Sequence, residues 1–104
     1  MTQTELHTAL LTVGLPLNYS HFKKSQAPPF IVYKYRNRDS LTADDLNADS
    51  VDNFDIELYT GDKDPVNEAL LEAVLIANGL LFGKTENWIP EEDMFQIAYE
   101  VQII

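Results

Sequence analysis

The chain contains no cysteine, and this absence excludes several functions at once. Without cysteine there is no disulfide framework, no thiolate nucleophile and no zinc site of the cysteine type. The four glycines are scattered and form no phosphate-binding loop, so nucleotide binding has no support. The two histidines, His7 and His21, have no serine or carboxylate constellation beside them, and we expect His7 on the solvated side of a helix. A small enzyme is therefore the least favoured class of function, and no cofactor is expected.

Long apolar runs and a basic leader are also absent. The apolar stretch 70–82 is interrupted by Glu72 and Gly79, and the first residues carry Glu5 but no base. We therefore expect neither a signal peptide nor a membrane span. The chain has 104 residues, of which 45% are hydrophobic and 23% charged. This size and composition predict a single folded domain over residues 1–104.

Positive charge is scarce and unevenly placed. Residues 1–38 hold one acid and five bases, whereas residues 39–104 hold 16 acids and two bases, which gives a net charge of -10 for the chain. A surface dominated by carboxylates repels phosphates, so we expect no specific nucleic-acid binding. The five early bases are a local exception. They are Lys23, Lys24, Lys34, Arg36 and Arg38.

The first half of the chain reads as a helix followed by a strand. Thr2 and Glu5 form a capping-box pattern, and apolar residues at helical spacing predict a helix over about 3–13. Residues 15–27 show no hydrophobic periodicity, so we expect an irregular segment there. After Pro28-Pro29, the stretch "FIVYKYRNR" is rich in β-branched and aromatic residues and predicts a strand that reaches about Asn37.

The second half begins with a strand that turns abruptly into a helix. Apolar and acidic residues alternate from Phe54 to Leu58, which indicates a strand with one solvent-exposed face. Asp64 as N-cap, Pro65 at the first position and Gly79 beyond the end then delimit a helix. We expect its apolar face to carry Val66, Leu70, Val74 and Ala77, broadened by Leu71, Leu75 and Ile76. So broad an apolar surface predicts cover on more than one side.

Two further strands complete the predicted fold. "LLFGKTENWI" is a weaker strand candidate, and Pro90 to Asp93 predict a turn. From Phe95 to Ile103, apolar residues occupy every second position, which predicts the last strand. The order helix, strand, strand, helix, strand, strand predicts an α+β fold. The expected architecture is an antiparallel sheet of about four strands with two helices packed on one face.

The acidic segment "DSLTADDLNADSVDN" lacks periodicity and predicts a long loop that serves some contact. Asp45, Asn47 and Asp49 resemble the first ligands of a calcium loop. However, Ser50 and Ile56 stand where glycine and a bidentate glutamate are needed, so a calcium site is disfavoured and no metal is expected. Trp88 has two interpretations, a lid on the core or an anchor at an interface, and core packing is favoured.

Several stretches resemble the small tail-completion or tail-terminator proteins of long-tailed bacteriophages and prophages of Gram-positive bacteria. They are "PPFIVYKY", "NFDIELYTGDKDPVNEALLEAVLIANG" and "EEDMFQIAYEVQII". The chain departs from this pattern at Thr42, where an aromatic is expected before the Ala-Asp step. The resemblance implies an α+β subunit that assembles, commonly as a hexameric ring, where the tail tube meets the head-tail connector. It implies a virion tail protein that is present in the host cytoplasm during assembly, with no enzymatic activity.

Two placements follow if this resemblance holds. We expect Lys34, Arg36, Arg38 and Trp88 to contribute to the contact between subunits, with the basic segment of one copy meeting the acidic surface of the next. We expect the acidic loop to line the channel or the docking rim, through Asp39, Asp44, Asp45, Asp49 and Asp52. The alternative is an acidic monomeric binding module or inhibitor of a basic partner protein.

Overall fold

The computed structural model describes residues 1–40 and 50–104. Within these residues it contains two helices and five strands. In chain order they are α1 Gln3–Leu11, β1 Leu17–Tyr19, β2 Phe30–Ser40, β3 Ser50–Thr60, α2 Pro65–Ala77, β4 Phe82–Ile89 and β5 Met94–Ile103.

The five strands form one sheet in the order β1-β2-β3-β5-β4. The ladders β2/β3, β3/β5 and β5/β4 are antiparallel, and β1 runs parallel to β2. The predicted α+β fold is confirmed. The sheet has one strand more than expected because Leu17–Tyr19, in a segment without period, adds to the edge over three residues. A strand this short has too few residues to show alternation.

One face of the sheet carries the core and both helices. On β3 and β5, Ile56 lies opposite Tyr99 and Leu58 opposite Ile97, and all four side chains are buried. These residues belong to one cluster that also includes residues from β2, α1 and α2, namely Ile31, Tyr33, Leu6, Leu10, Leu71 and Leu75. The inward alternation predicted for β3 and β5 is therefore confirmed. We call the opposite side of the sheet, which neither helix covers, the open face.

Helix α1 begins at the predicted capping box. The Glu5 amide donates to Thr2 Oγ1 at 3.1 Å, and the Thr2 amide donates to Glu5 Oε1 at 2.9 Å. The prediction for His7 was incomplete, because its Nδ1 lies 2.7 Å from the Tyr33 hydroxyl and its ring is half-buried. His7 therefore links α1 to the sheet instead of standing only in solvent.

Helix α2 has the predicted caps but not the predicted inner face. Asp64 Oδ1 accepts a hydrogen bond from the Asn67 amide at 3.1 Å, which caps the helix start. The buried residues of α2 are Glu68, Leu71 and Leu75. The predicted apolar face was wrong in part: Leu71 and Leu75 are buried, but Val66 and Leu70 are 70% and 48% exposed. The exposed apolar residues lie opposite the buried ones and form what we call the outer stripe. It consists of Val66, Ala69, Leu70, Ala73, Ile76 and Ala77.

Gly79 ends α2 in the predicted manner. The Gly79 amide donates to the Ile76 carbonyl at 3.0 Å and the Leu80 amide donates to the Leu75 carbonyl at 2.9 Å, the two bonds of a Schellman motif. Gly79 has φ of +72°, a left-handed conformation that a β-branched residue resists.

We expect Gly79→Val to lower the free energy of unfolding by about 1–3 kcal/mol, because a side chain is strained at this φ. A Cβ at Gly79 would meet no atom within 4 Å, so the effect isolates backbone strain from steric overlap. Gly83→Val is the matched control, since Gly83 lies in β4, does not have the left-handed φ and is equally open. Urea denaturation of both variants measures the difference, and equal stability of the two would contradict this account.

Candidate functional site

The open face carries rows of opposite charges that cross the central strands. Lys34 Nζ lies 3.8 Å from Glu57 Oε1, and Arg36 Nε lies 3.3 Å from Asp55 Oδ1. The Arg36 guanidinium also lies 3.9 Å from Glu100 on β5. The Lys34 and Arg36 side chains remain about half exposed, so each pair contributes little to stability. These ion pairs within the subunit do, however, neutralise Lys34 and Arg36, two of the bases that we expected at a contact with a neighbouring subunit.

A β-bulge places Arg38 on the other side of the sheet from Lys34 and Arg36. The β2/β3 register shifts between Tyr35 and Asn37, so Arg38 pairs with Asp52 on the helix side. Arg38 Nε lies 2.7 Å from Asp52 Oδ1 and Nη2 lies 3.0 Å from Oδ2, a bidentate ion pair. These hydrogen bonds hold the pKa of Asp52 below its ordinary value. The three bases expected on one surface are therefore divided between two.

The connection between β2 and β3 is shorter than the loop that the sequence predicted. Asp39 belongs to β2 and Asp52 to β3, so the predicted loop was wrong at both ends. Asp39 Oδ2 accepts a hydrogen bond from Asn53 Nδ2 at 2.8 Å, and Asn37 Oδ1 accepts from the same nitrogen at 2.9 Å. The remaining residues of the predicted channel loop lie outside the described residues. They are Asp44, Asp45 and Asp49, and the same holds for Asn47 of the disfavoured calcium pattern.

Trp88 lies on β4 with its side chain on the helix side of the sheet. Its ring packs edge-on against Phe95, its cross-strand partner, with the ring centroids 4.8 Å apart. The side chain is nonetheless 46% exposed. Trp88 thus covers one end of the core and still presents half of its surface to solvent, and its interface role remains a prediction.

A buried carboxylate beneath α2 is the feature that the sequence did not reveal. Glu68 is 3% exposed, and its two oxygens lie 2.6 Å from Lys63 Nζ and 2.9 Å from Lys84 Nζ. Lys84 also lies 2.8 Å from Glu72 Oε2, which accepts a hydrogen bond from the Tyr99 hydroxyl at 2.8 Å. The network fixes α2 against β4 and β5 and holds both acids of the helix on its sheet side.

Opposing influences set the pKa of Glu68. Burial raises the pKa, but hydrogen bonds from Lys63 and Lys84 outweigh it and hold the pKa below the ordinary value of 4.5. Burial raises the pKa of Tyr99, and its hydrogen bond to Glu72 raises it further. Glu68 is therefore ionised at neutral pH and depends on its two lysines to remain so in the interior.

A groove of about 560 Å³ lies at one end of the open face. Phe22 packs edge-on against Phe30 with centroids 5.4 Å apart, and Phe30 stacks on Tyr59 at 4.9 Å. The residues between Ser20 and Gln26 form one wall of this groove. We call it the aromatic groove. Its apolar lining comprises Phe22, Phe30, Val32, Tyr59, Ile89 and Met94.

The described residues present no catalytic constellation of a known kind. His21 Nδ1 lies 3.2 Å from Ser20 Oγ, but both are exposed and no carboxylate of residues 1–40 or 50–104 orients the imidazole. In the same residues, no three His, Asp or Glu side chains converge in a way that could hold a metal ion. Neither helix of the described chain has the length and apolar character needed to cross a membrane.

Comparisons with known proteins find a similar fold in a virion particle. No family model matches the sequence, and no curated protein matches it. A chain in the solved structure of the virion of a native gene transfer agent (GTA) particle is similar, with a TM-score of 0.57 and 19% sequence identity. The similarity covers 90% of this chain and 82% of that chain. At this identity the likeness shows a shared fold.

Proposed function

We propose that this chain is a non-enzymatic structural protein of a phage or prophage virion. The observation that carries the proposal is the shared fold, which extends over 90% of the chain, with a chain of a phage-like virion particle. The resemblance of "PPFIVYKY" and of the strand-to-helix segment to tail-completion proteins supports the same class.

Within the virion, we propose a role in tail completion or head-tail joining. The chain would form a ring, commonly of six subunits, at the end of the tail tube. Its partners are further copies of itself, the tail tube protein and the head-tail connector protein. It would lie in the virion tail and, during assembly, in the host cytoplasm. The acidic residues Asp44, Asp45 and Asp49 would face the channel or the docking rim, where carboxylates keep passing DNA from adhering.

The uneven charge of the sequence and the interface interpretation of Trp88 also led us to expect Lys34, Arg36, Arg38 and Trp88 at a contact between subunits. Because Lys34 and Arg36 lie on the open face and Arg38 and Trp88 on the helix side, they cannot form one continuous contact. A subunit that meets one neighbour with each face would use both sets. We therefore retain these residues as contributors to two different subunit contacts.

The second candidate is an acidic module that inhibits a basic partner protein. The specific observation in its favour is the β4–β5 turn, which presents Glu91, Glu92 and Asp93 together at an exposed tip. Three adjacent carboxylates would steer a basic partner toward this tip. Such a module would remain monomeric at any concentration.

Light scattering after size-exclusion chromatography separates the two candidates. The virion protein is expected to associate at high concentration, or to co-elute with a tail tube or connector protein, because ring subunits have surfaces that neighbours cover. Electron microscopy of the associated fraction should then show rings. A chain that stays monomeric at every concentration and binds neither tail protein would contradict the virion function and favour the acidic module.

A further inference from the structure

Helix α2 is apolar on two opposite sides, although the fold covers only one of them. Leu71 and Leu75 are fully buried against the sheet, whereas Val66 and Ile76 of the outer stripe are 70% and 67% exposed. A helix that is apolar all round is normally covered all round. An apolar surface that extends over about three turns of helix, rimmed by polar residues, marks a contact with another molecule.

The outer stripe is also free of charge. The two acids of α2 are Glu68 and Glu72, and both are directed to the sheet side by Lys84. Copies of a chain with net charge -10 repel one another wherever carboxylates face each other. The outer stripe is a surface at which two copies can approach without that repulsion.

The aromatic groove has the chemistry to receive such a helix. Phe30, Tyr59 and Met94 are only half-buried there, so apolar surface is open to a partner. A helix that lays its apolar face in a hydrophobic groove is a recurrent mode of recognition. The groove contains no more than one acid, Glu92, along its lining.

Charges at the ends of the two surfaces are complementary. Asp62 and Asp64 stand at the N-terminal end of α2, next to the outer stripe. Lys24 lines the groove and Lys23 adjoins it. Among residues 1–40 and 50–104, no carboxylate lies within 4.0 Å of either lysine nitrogen, unlike the other five bases. A helix seated in the groove with its first turn near these lysines would pair them.

The outer stripe lies on the helix side of the sheet and the aromatic groove on the open face. One subunit can therefore use both surfaces at once, each toward a different neighbour. We propose that the outer stripe of one copy docks in the aromatic groove of the next copy, head to tail. Such a heterologous contact closes into a ring when its rotation closes. The inference rests on the proposed function, which supplies the assembly that this contact would build.

Two double variants test the contact because each removes one half of it. Leu70→Glu with Ile76→Glu places charges on the outer stripe, and Phe22→Glu with Met94→Glu places them in the aromatic groove. All four positions retain solvent contact, and a thermal melt by circular dichroism verifies that each variant folds. Thr4→Glu with Thr8→Glu is the matched control, since it adds the same charge to the exposed side of α1.

The decisive measurement is the mass of each protein and of mixtures by sedimentation or light scattering. We expect the native chain and the control to associate with increasing concentration, and each double variant to stay at the mass of one subunit. A 1:1 mixture of the two double variants should form a two-subunit species and grow no further, because it contains one intact stripe and one intact groove per pair.

Three results would overturn the inference. If the outer-stripe variant assembles like the native chain, the contact lies elsewhere, although a ring remains supported. If the mixture stays monomeric while the native chain assembles, the stripe does not dock in the groove. If the native chain is monomeric at millimolar concentration, a second copy is not the occupant, and co-elution with the tail proteins then decides the proposed function separately.

Discussion

Ile97→Asp is expected to unfold the protein. Ile97 is fully buried on β5, opposite Leu58 of β3, in the centre of the core. An ionised carboxylate there would have no partner, and an uncompensated buried charge costs about 3–5 kcal/mol or more. Since the whole stability of a domain of this size is about 5–15 kcal/mol, most or all of it would be lost. Circular dichroism and a thermal melt at neutral pH measure the effect.

Gln102→Asp provides the control for Ile97→Asp. Gln102 lies on the same strand but is exposed, so the same new side chain meets water instead of the core. It should melt within a few degrees of the native chain. A cooperative transition of Ile97→Asp at the native temperature would show that β5 does not carry the core.

The second large effect is expected when both lysines that hold Glu68 are removed. Lys63→Met with Lys84→Met leaves the Glu68 carboxylate buried without a cation, which should lower the free energy of unfolding by about 3–5 kcal/mol at pH 7. Adding Glu68→Leu should restore most of this loss, because an apolar residue of similar volume needs no counter-charge. Urea denaturation of the double and triple variants measures both steps.

The pH dependence of the lysine double variant provides an independent check. In the native chain the pKa of Glu68 is lowered on folding, so its stabilising contribution is present above the ordinary value of 4.5 and is lost as the pH falls through the lowered pKa. Without the lysines, burial raises that pKa instead. The stability difference between native and variant should therefore be large at neutral pH, begin to shrink as the pH falls through the raised pKa of the variant, and go on shrinking until the pH reaches the lowered pKa of the native chain. A difference that is constant with pH would contradict the role given to Glu68.

The strands and turns that follow simple local rules could be predicted from the sequence. Alternation over Phe54 to Leu58 and over Phe95 to Ile103 placed both central strands and their inward residues correctly. The helix caps at Asp64 and Gly79 were also correct, because each depends on the conformation of one residue. These features require no knowledge of which segments meet in space.

The features that were missed depend on distant partners. Glu68 is buried beside Lys63 and Lys84, and Lys84 belongs to a later strand. The sequence of α2 alone therefore gives no sign that a charged residue faces the sheet. Asn53 is 5% exposed, and its amide bonds to Asn37 and Asp39 let a polar stretch extend both strands. The bulge after Tyr35 moves the following side chains to the opposite face of the sheet. The alternation of apolar and polar residues in the sequence does not reveal it.

The position of β5 between β3 and β4 affects how new copies are made on the ribosome. Residue 52 pairs with residue 103, and every pair of the β3/β5 ladder joins residues that are more than thirty positions apart in the sequence. Until residues 94–103 leave the exit tunnel, Ile56 and Leu58 have no neighbour on that side. A nascent or prematurely terminated chain would thus expose an unfinished sheet edge. Only copies translated through β5 would complete the sheet, and incomplete ones would be targets for chaperones and proteases.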